Sequence, residues 1–341
     1  MKIVRIKPHV LILLYNEDLL FKTDLYSCAT FGSKDLIHQL LPYLQSNYTL
    51  SQILDLAKRE RGIPQKKIKS KLDELFRLNI LEFFSKQEEE SACMERYKRQ
   101  LSYFDLFEKV SDRKKIYSIQ NKLKNAHVLI LGVGGIGSYA GFALAGAGVG
   151  EISLMDGDTI EKSNLNRQIL YDEHSLGKRK VDVAKARLLA FNSEIKYNTL
   201  FNDLKNPRDL EQILKGNELK KIDLIILSAD QPFSIRSWVD QYSRSAEVPY
   251  VACGYCGSVG IIGPFVVPAK RSKKNEPKPD IKMKKLYQGA PPSMACTNGI
   301  LANIVSLEAI KYLTGISEPL TKNKILFLNL EDLSQTAVPY T

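Results

Sequence analysis

The chain has 341 residues, 44% of them hydrophobic and 26% charged, and its 49 Lys and Arg outweigh 38 Asp and Glu to give a net charge of +11. That size and apolar content allow more than one buried core and exclude a disordered or fibrous chain. No apolar run reaches the ~18 residues of a membrane span, no signal peptide is expected, and five cysteines without a framework of spacings suit a reducing cytoplasm.

Residues 1–90 read as a separate α+β unit. The run KIVRIKPHVLILLYNEDLLFKT predicts a pair of strands around a turn at Asn16, Glu17 and Asp18, because apolar stretches flank a polar tripeptide. Helical spacing of Ile37, Leu40, Leu41 and Leu44, then of Ile53, Leu54, Leu56 and Ala57, predicts helices over 34–45 and 50–61. A third is expected over 64–78, with Thr49 and Pro64 as start signals, and residues 80–84 make a short wing strand. Such a winged-helix-like unit is compatible with binding a peptide at a sheet edge, or with binding DNA. Residues 91–120 form a helical connection that carries RYKRQ at 96–100.

From 121 onward the pattern becomes α/β. His127 to Leu131 predicts a buried strand, followed by a glycine turn (Gly132, Gly134, Gly135, Gly137) and a small-residue helix over 138–147. Such a turn aims a helix N-terminus at phosphate. The next strand, 151–155, ends in Asp156, placed to accept hydrogen bonds from ribose hydroxyls. A redox dinucleotide site needs nothing more. Here Asp158, Asn164, Arg167 and Gln168 follow directly, and Lys180 adds a second cation in LGKRKVDVAKARL. Two cations beside a phosphate turn suit an enzyme that splits a triphosphate, since a guanidinium fork and an ammonium can neutralise its oxygens. The expected ligand is therefore ATP, with a nicotinamide dinucleotide or a merely solvated charged face as alternatives. An apolar run over 221–227 predicts a buried parallel strand that delivers Ser228, Ala229 and Asp230 at its carboxyl end. Asp230 suits Mg2+, which takes one carboxylate plus phosphate oxygens and water, or it caps a helix starting near Ser234.

The segment 270–292 is Pro- and Lys-rich, with eight Lys and Arg against two acids between 270 and 285. It predicts a mobile basic crossover loop over the substrate; its single aromatic, Tyr287, argues against a nucleic-acid patch. A helix is expected over 297–314. Cys253 and Cys256 form one C-x-x-C pair where a zinc site needs four ligands, so no zinc is expected and both read as packing residues. Cys296 is a minor candidate nucleophile. The histidines at 9, 38, 127 and 174 read as structural or exposed.

The stretches RYKRQ (96–100), GVGGIG (132–137), DGDTIEKSNLNRQ (156–168), LGKRK (176–180), LIILSAD (224–230) and LEAIKYLTG (307–315) together resemble the ubiquitin-activating-enzyme-like, or ThiF/MoeB/MccB, adenylating superfamily over about residues 95–341. The resemblance implies a Rossmann-like, mostly parallel sheet and an enzyme that joins a carboxylate to AMP with release of pyrophosphate. It further implies that Asp156 binds ribose, that Asn164, Arg167 and Lys180 bind phosphates, that Asp230 holds magnesium, and that Arg99 reaches into the neighbouring subunit of a homodimer. Residues 1–90 are similar in pattern to PqqD-like precursor-peptide recognition domains. The fusion resembles the peptide-modifying branch, of microcin-C or pantocin type. A cytoplasmic enzyme acting on a ribosomal precursor peptide in antibiotic biosynthesis is the expectation, with no nucleic-acid or membrane partner. Activation of a small sulfur-carrier protein, and a non-catalytic leader-binding role, remain open.

Overall fold

In a computed structural model, the structure describes residues 2–24, 27–85, 92–108, 111–219, 221–268 and 292–340. The chain divides into two compact units, Met1–Gln120 and Asn121–Thr341.

In the first unit the N-terminal run forms more strands than the sequence predicts. β1 (Ile3–Ile6) is followed by β2 (Leu11–Tyr15), β3 (Asp18–Lys22) and β4 (Cys28–Phe31). Pro8 has no N–H to extend a strand, and the Val10 N–H turns back onto the Lys7 carbonyl at 3.0 Å, so the first run splits in two. The hairpin turn is Asn16-Glu17, both at positive φ (48° and 70°), and Asp18 already pairs with Tyr15. β2, β3 and β4 make one antiparallel sheet, while β1 pairs across the unit with the wing strand β5 (Leu81–Phe84). Between them lie α1 (Ile37–Leu44), α2 (Leu50–Arg61) and α3 (Gln65–Arg77). The first starts three residues later than the spacing suggests, with the Asp35 carboxylate accepting the Ile37 N–H at 2.9 Å. Thr49 and Gln52 form a capping box on α2, and Gly62 closes it at φ 66°. Phe21, Ile37, Leu40, Ile53, Ile68 and Leu75 build the core. α4 (Ala92–Glu95) and α5 (Lys98–Glu108) follow, and α6 (Arg113–Asn125) leads to the second unit.

The second unit is an eight-stranded sheet of order β13-β12-β11-β10-β9-β6-β7-β8. Its strands are β6 (His127–Leu131), β7 (Glu151–Met155), β8 (Lys196–Leu200), β9 (Leu224–Leu227), β10 (Tyr250–Cys256), β11 (Val259–Val266), β12 (Lys324–Asn329) and β13 (Gln335–Pro339). β8, β7, β6, β9 and β10 run parallel, and β11 to β13 extend the sheet antiparallel. Its helices are α7 (Gly135–Ala147), α8 (Lys180–Phe191), α9 (Asp209–Gly216), α10 (Ile235–Ala246) and α11 (Ala295–Thr314). β6, β7 and β9 are buried along their whole length, as expected of parallel strands covered on both faces. Strand order reverses between β6 and β9, which opens a crevice at their carboxyl ends. Among the described residues, no helix is long and apolar enough to cross a membrane. The basic loop predicted over 270–292 lies, apart from its last residue, outside the described residues.

Candidate active site

A cavity of about 430 Å³ opens at the carboxyl ends of β6, β7 and β9. Its floor is the glycine turn. Gly132 adopts φ 88°, and a Cβ there would stand 2.7 Å from the Ala229 backbone nitrogen, so the turn closes only with glycine. Gly134 and Gly135 line the cavity. Gly137 does not: it packs the first turn of α7 onto the strand end, where a Cβ would lie 1.9 Å from the Gly132 carbonyl oxygen.

Asp156, at the end of β7, is nearly buried. Its carboxylate accepts the Val133 N–H at 2.7 Å and the Asp158 N–H at 2.9 Å. Burial holds its pKa above the usual carboxylate range, against the lowering pull of Lys180 and of those two amides. The Lys180 ammonium, 6% exposed, donates to the Asp158 carboxylate at 2.6 Å and lies 4.0 Å from Asp156. A buried cation needs a counter-charge, and Asp158, 67% exposed, provides one that is free to move away.

The 156–168 segment folds back over the cavity through a short 3-10 turn, Lys162–Asn164. Asn164 is buried, and its carbonyl oxygen accepts the Glu161 N–H at 3.1 Å. Its amide N–H groups have no partner among the described residues. The Arg167 guanidinium donates to the Ser163 carbonyl at 2.7 Å and to Asn166 at 2.9 Å, which holds it on the cavity wall. Gln168 is only 4% exposed, and its side-chain oxygen has no hydrogen-bond partner. Asp230 is exposed on the opposite strand end and makes no ion pair among the described residues. The helix beyond it starts at Ser234 without a side-chain cap, so Asp230 does not act as the cap.

The cavity therefore gathers Gly132, Gly134, Gly135, Asp156, Asp158, Asn164, Arg167, Gln168, Lys180 and Asp230. Arg99 is an exposed residue of α5 in the first unit. Further residues complete the wall. Asn298, 2% exposed at the start of α11, donates to the Met294 carbonyl at 2.7 Å and to the Ser293 hydroxyl at 2.8 Å. Its carbonyl oxygen lies 2.4 Å from where a Gly135 Cβ would stand, which explains the third glycine of the turn. Asn202 and Asp203, just past β8, and Tyr255 on β10 complete the wall. The only signal for Asp203 is its place just past the end of a parallel strand; Asn298 has none, because it arrives from more than 160 residues along the chain.

Cys253 is buried, and burial pushes its thiol up to about 12, whereas Cys256 is exposed and does not pack as expected. His127 is buried with Nε2 2.8 Å from the Ser153 hydroxyl, and His174 is exposed. Among the described residues no group of three or more His, Cys, Asp or Glu is placed to hold a metal ion by itself.

Fold and cavity together define an α/β protein of the doubly wound type, with a glycine-floored, charge-lined cavity at its strand-order reversal. The ThiF family profile matches residues 97–339, and the chain belongs to that family. It is similar to the adenylyltransferase and sulfurtransferase uba4 of Pyricularia oryzae, 44% identical over 115 residues that cover 34% of this chain and 22% of that protein. It is also similar to the probable adenylyltransferase/sulfurtransferase MoeZ of Mycobacterium tuberculosis, 30% identical over 221 residues, 62% of this chain and 54% of the relative. Among solved structures, E. coli MccB with MccA-N7isoASN matches over 100% of this chain and 97% of its own, with TM-score 0.75 and 26% identity. MccB with ATP matches over the same shares, with TM-score 0.74 and 27% identity.

Proposed function

We propose that this chain is an ATP-dependent adenylyltransferase that activates a carboxyl or carboxamide-derived group of a ribosomally made precursor peptide. The observation that carries this is the convergence on one cavity of a phosphate turn, a strand-end acid, two cations and a free carboxylate. In this reading Asp156 accepts ribose hydroxyls. Asn164, Gln168 and the turn amides hold the polyphosphate, while Arg167 and Lys180 neutralise it, with Lys180 exchanging Asp158 for a phosphate oxygen. A peptide carboxylate oxygen attacks the α-phosphorus; the bond to the bridging oxygen breaks, and pyrophosphate leaves with that electron pair. Asp230, which makes no ion pair among the described residues, would hold a Mg2+, and that ion would supply further charge neutralisation. Arg99 would come from the second protomer of a homodimer.

The peptide substrate is supported by the match to MccB along nearly all of both chains, whose structures include complexes with MccA, and by a first unit with its own sheet and core. Among the described residues the outer strands β2 and β4 pair on one side only, which offers a place for strand addition. The names of uba4 and MoeZ favour a second reading, activation of a small sulfur-carrier protein. Incubation with ATP, Mg2+ and either the short peptide encoded beside its gene or a carrier protein ending in Gly-Gly separates the two. A peptide mass increased by a nucleotide, or by ring closure, with pyrophosphate release is the expected result. Modification of the carrier alone would transfer the function to the second reading, and ATP left intact with both would end both.

A further inference from the structure

The first unit hides an ion pair that the cavity chemistry does not use. Lys7 and Asp105 have side chains 0% and 1% exposed, and the ammonium donates to the carboxylate at 2.8 Å. Lys7 also donates to the Asn79 side chain at 2.6 Å, and its N–H goes to the Ile80 carbonyl at 2.9 Å. It stands in the link between β1 and β2, so it is tied at once to the wing pair and to the outer strand of the three-stranded sheet. Asp105 belongs to α5, the helix that carries Arg99 six residues earlier, about 9 Å along the axis at 1.5 Å per residue. Helix α5 is also held by the buried Leu101 and Phe104, by a side-chain hydrogen bond from Gln100 to Gln120 at 2.7 Å and by an ion pair of Glu108 with Lys115, and the Asp105 carboxylate lies 3.7 Å from His9 Nδ1 as well. Apolar contacts are non-directional and allow a helix to slide or turn. A short charge-assisted hydrogen bond in a dry site does not.

A pair this buried costs desolvation that an apolar pair of similar volume would avoid, so stability alone is a weak reason for it. We infer that Lys7 and Asp105 are positioning residues that set the axial position and rotation of α5, and through it the reach of Arg99 to the reaction. The inference rests on the adenylation reading and on the role given to Arg99. It makes the peptide-binding sheet and the Arg99 helix one mechanical piece, joined through the Lys7 link.

The test is a double-mutant cycle on peptide-dependent ATP–pyrophosphate exchange, using the short peptide encoded beside the gene. Asp105→Asn should lower kcat about 10- to 100-fold, the scale of a misplaced catalytic group, with little change in KM for ATP. In an Arg99→Ala background the same substitution should cost almost nothing more, because both changes remove one contribution. Should Asp105→Asn fail to fold, Lys7→Met with Asp105→Leu replaces the pair by apolar side chains, and the same loss and the same epistasis are expected. A folded variant with unchanged kcat, or a loss that multiplies fully with that of Arg99→Ala, overturns the inference and leaves the adenylation reading intact. No effect of Arg99→Ala overturns the role of Arg99 and the inference with it. No exchange by the unaltered chain with peptide or carrier removes the adenylation reading itself.

Discussion

Three glycines of one turn answer to different constraints. Gly132 needs a positive φ beside Ala229, Gly135 gives room to Asn298, and Gly137 lets α7 touch the strand end. Gly137→Ala forces a methyl against the Gly132 carbonyl and should destabilise the fold by about 1–3 kcal/mol, the usual cost of overpacking, visible as a lower Tm. Arg167 and Asp230 sit at the opposite extreme, on the cavity wall and without a place in the core. Arg167→Ala and Asp230→Ala should melt like the parent and lose pyrophosphate exchange about 10²- to 10³-fold, as when one charge-stabilising group is removed; unchanged exchange in both would remove the mechanism. These residues were legible because each stands at a strand end or in the segment directly after it. Asn298 was not, since its role exists only once α11 has packed beside the turn. The Lys7–Asp105 pair was equally hidden, because Lys and Asp are ordinarily surface residues and nothing local marks a buried pair.

Secondary structure was read best where the period was long and the caps were explicit. α2 keeps its expected bounds because Thr49 and Gln52 close its first turn and Gly62 its last. The N-terminal strands were under-counted because β1 pairs with β5, some 75 residues away, and such a pairing leaves no mark in either short run. One contact inside the parallel sheet carries a pH signature. Glu151 opens β7 and accepts from the Lys196 ammonium and the Asn198 amide of neighbouring β8, both at 2.9 Å. Burial alone would raise its pKa, but Lys196, Asn198 and His127 together hold it below the usual carboxylate range. A depressed pKa means that the stabilisation is present above the ordinary carboxylate pKa and fades as pH falls through the lowered value. Glu151→Gln should therefore cost about 1 kcal/mol at pH 7, a modest figure because Lys196 is largely solvated. The difference from the parent should shrink in urea titrations taken toward pH 3; an equal difference at both pH values would refute the assignment.

For the whole molecule, the proposed homodimer makes a quantitative demand. If Arg99 serves the site of the partner subunit, an Arg99→Ala chain and an Arg167→Ala chain are each inactive alone. Mixed and re-associated in equal amounts, half of the dimers carry one intact site of two, so about a quarter of the parental exchange activity should return. No recovery with demonstrated subunit mixing would place Arg99 in its own subunit's site, and an Arg99→Ala chain active alone would place it outside catalysis. The α/β architecture of the second unit was legible at this scale because parallel strands are continuous apolar runs separated by helices. The antiparallel extension by β11 to β13 was not, as its strands straddle the basic 270–292 segment and a 20-residue helix.

The change along β10, from buried at Tyr250 to Cys253 to exposed at Cys256, has a practical outcome. Two sulfurs three residues apart differ in chemistry: the one at 253 is held as a neutral thiol up to about pH 12, while the one at 256 meets solvent beside Tyr255 on the cavity wall. In a chain with Cys28, Cys93 and Cys296 changed to Ser, maleimide at neutral pH should therefore modify a single position.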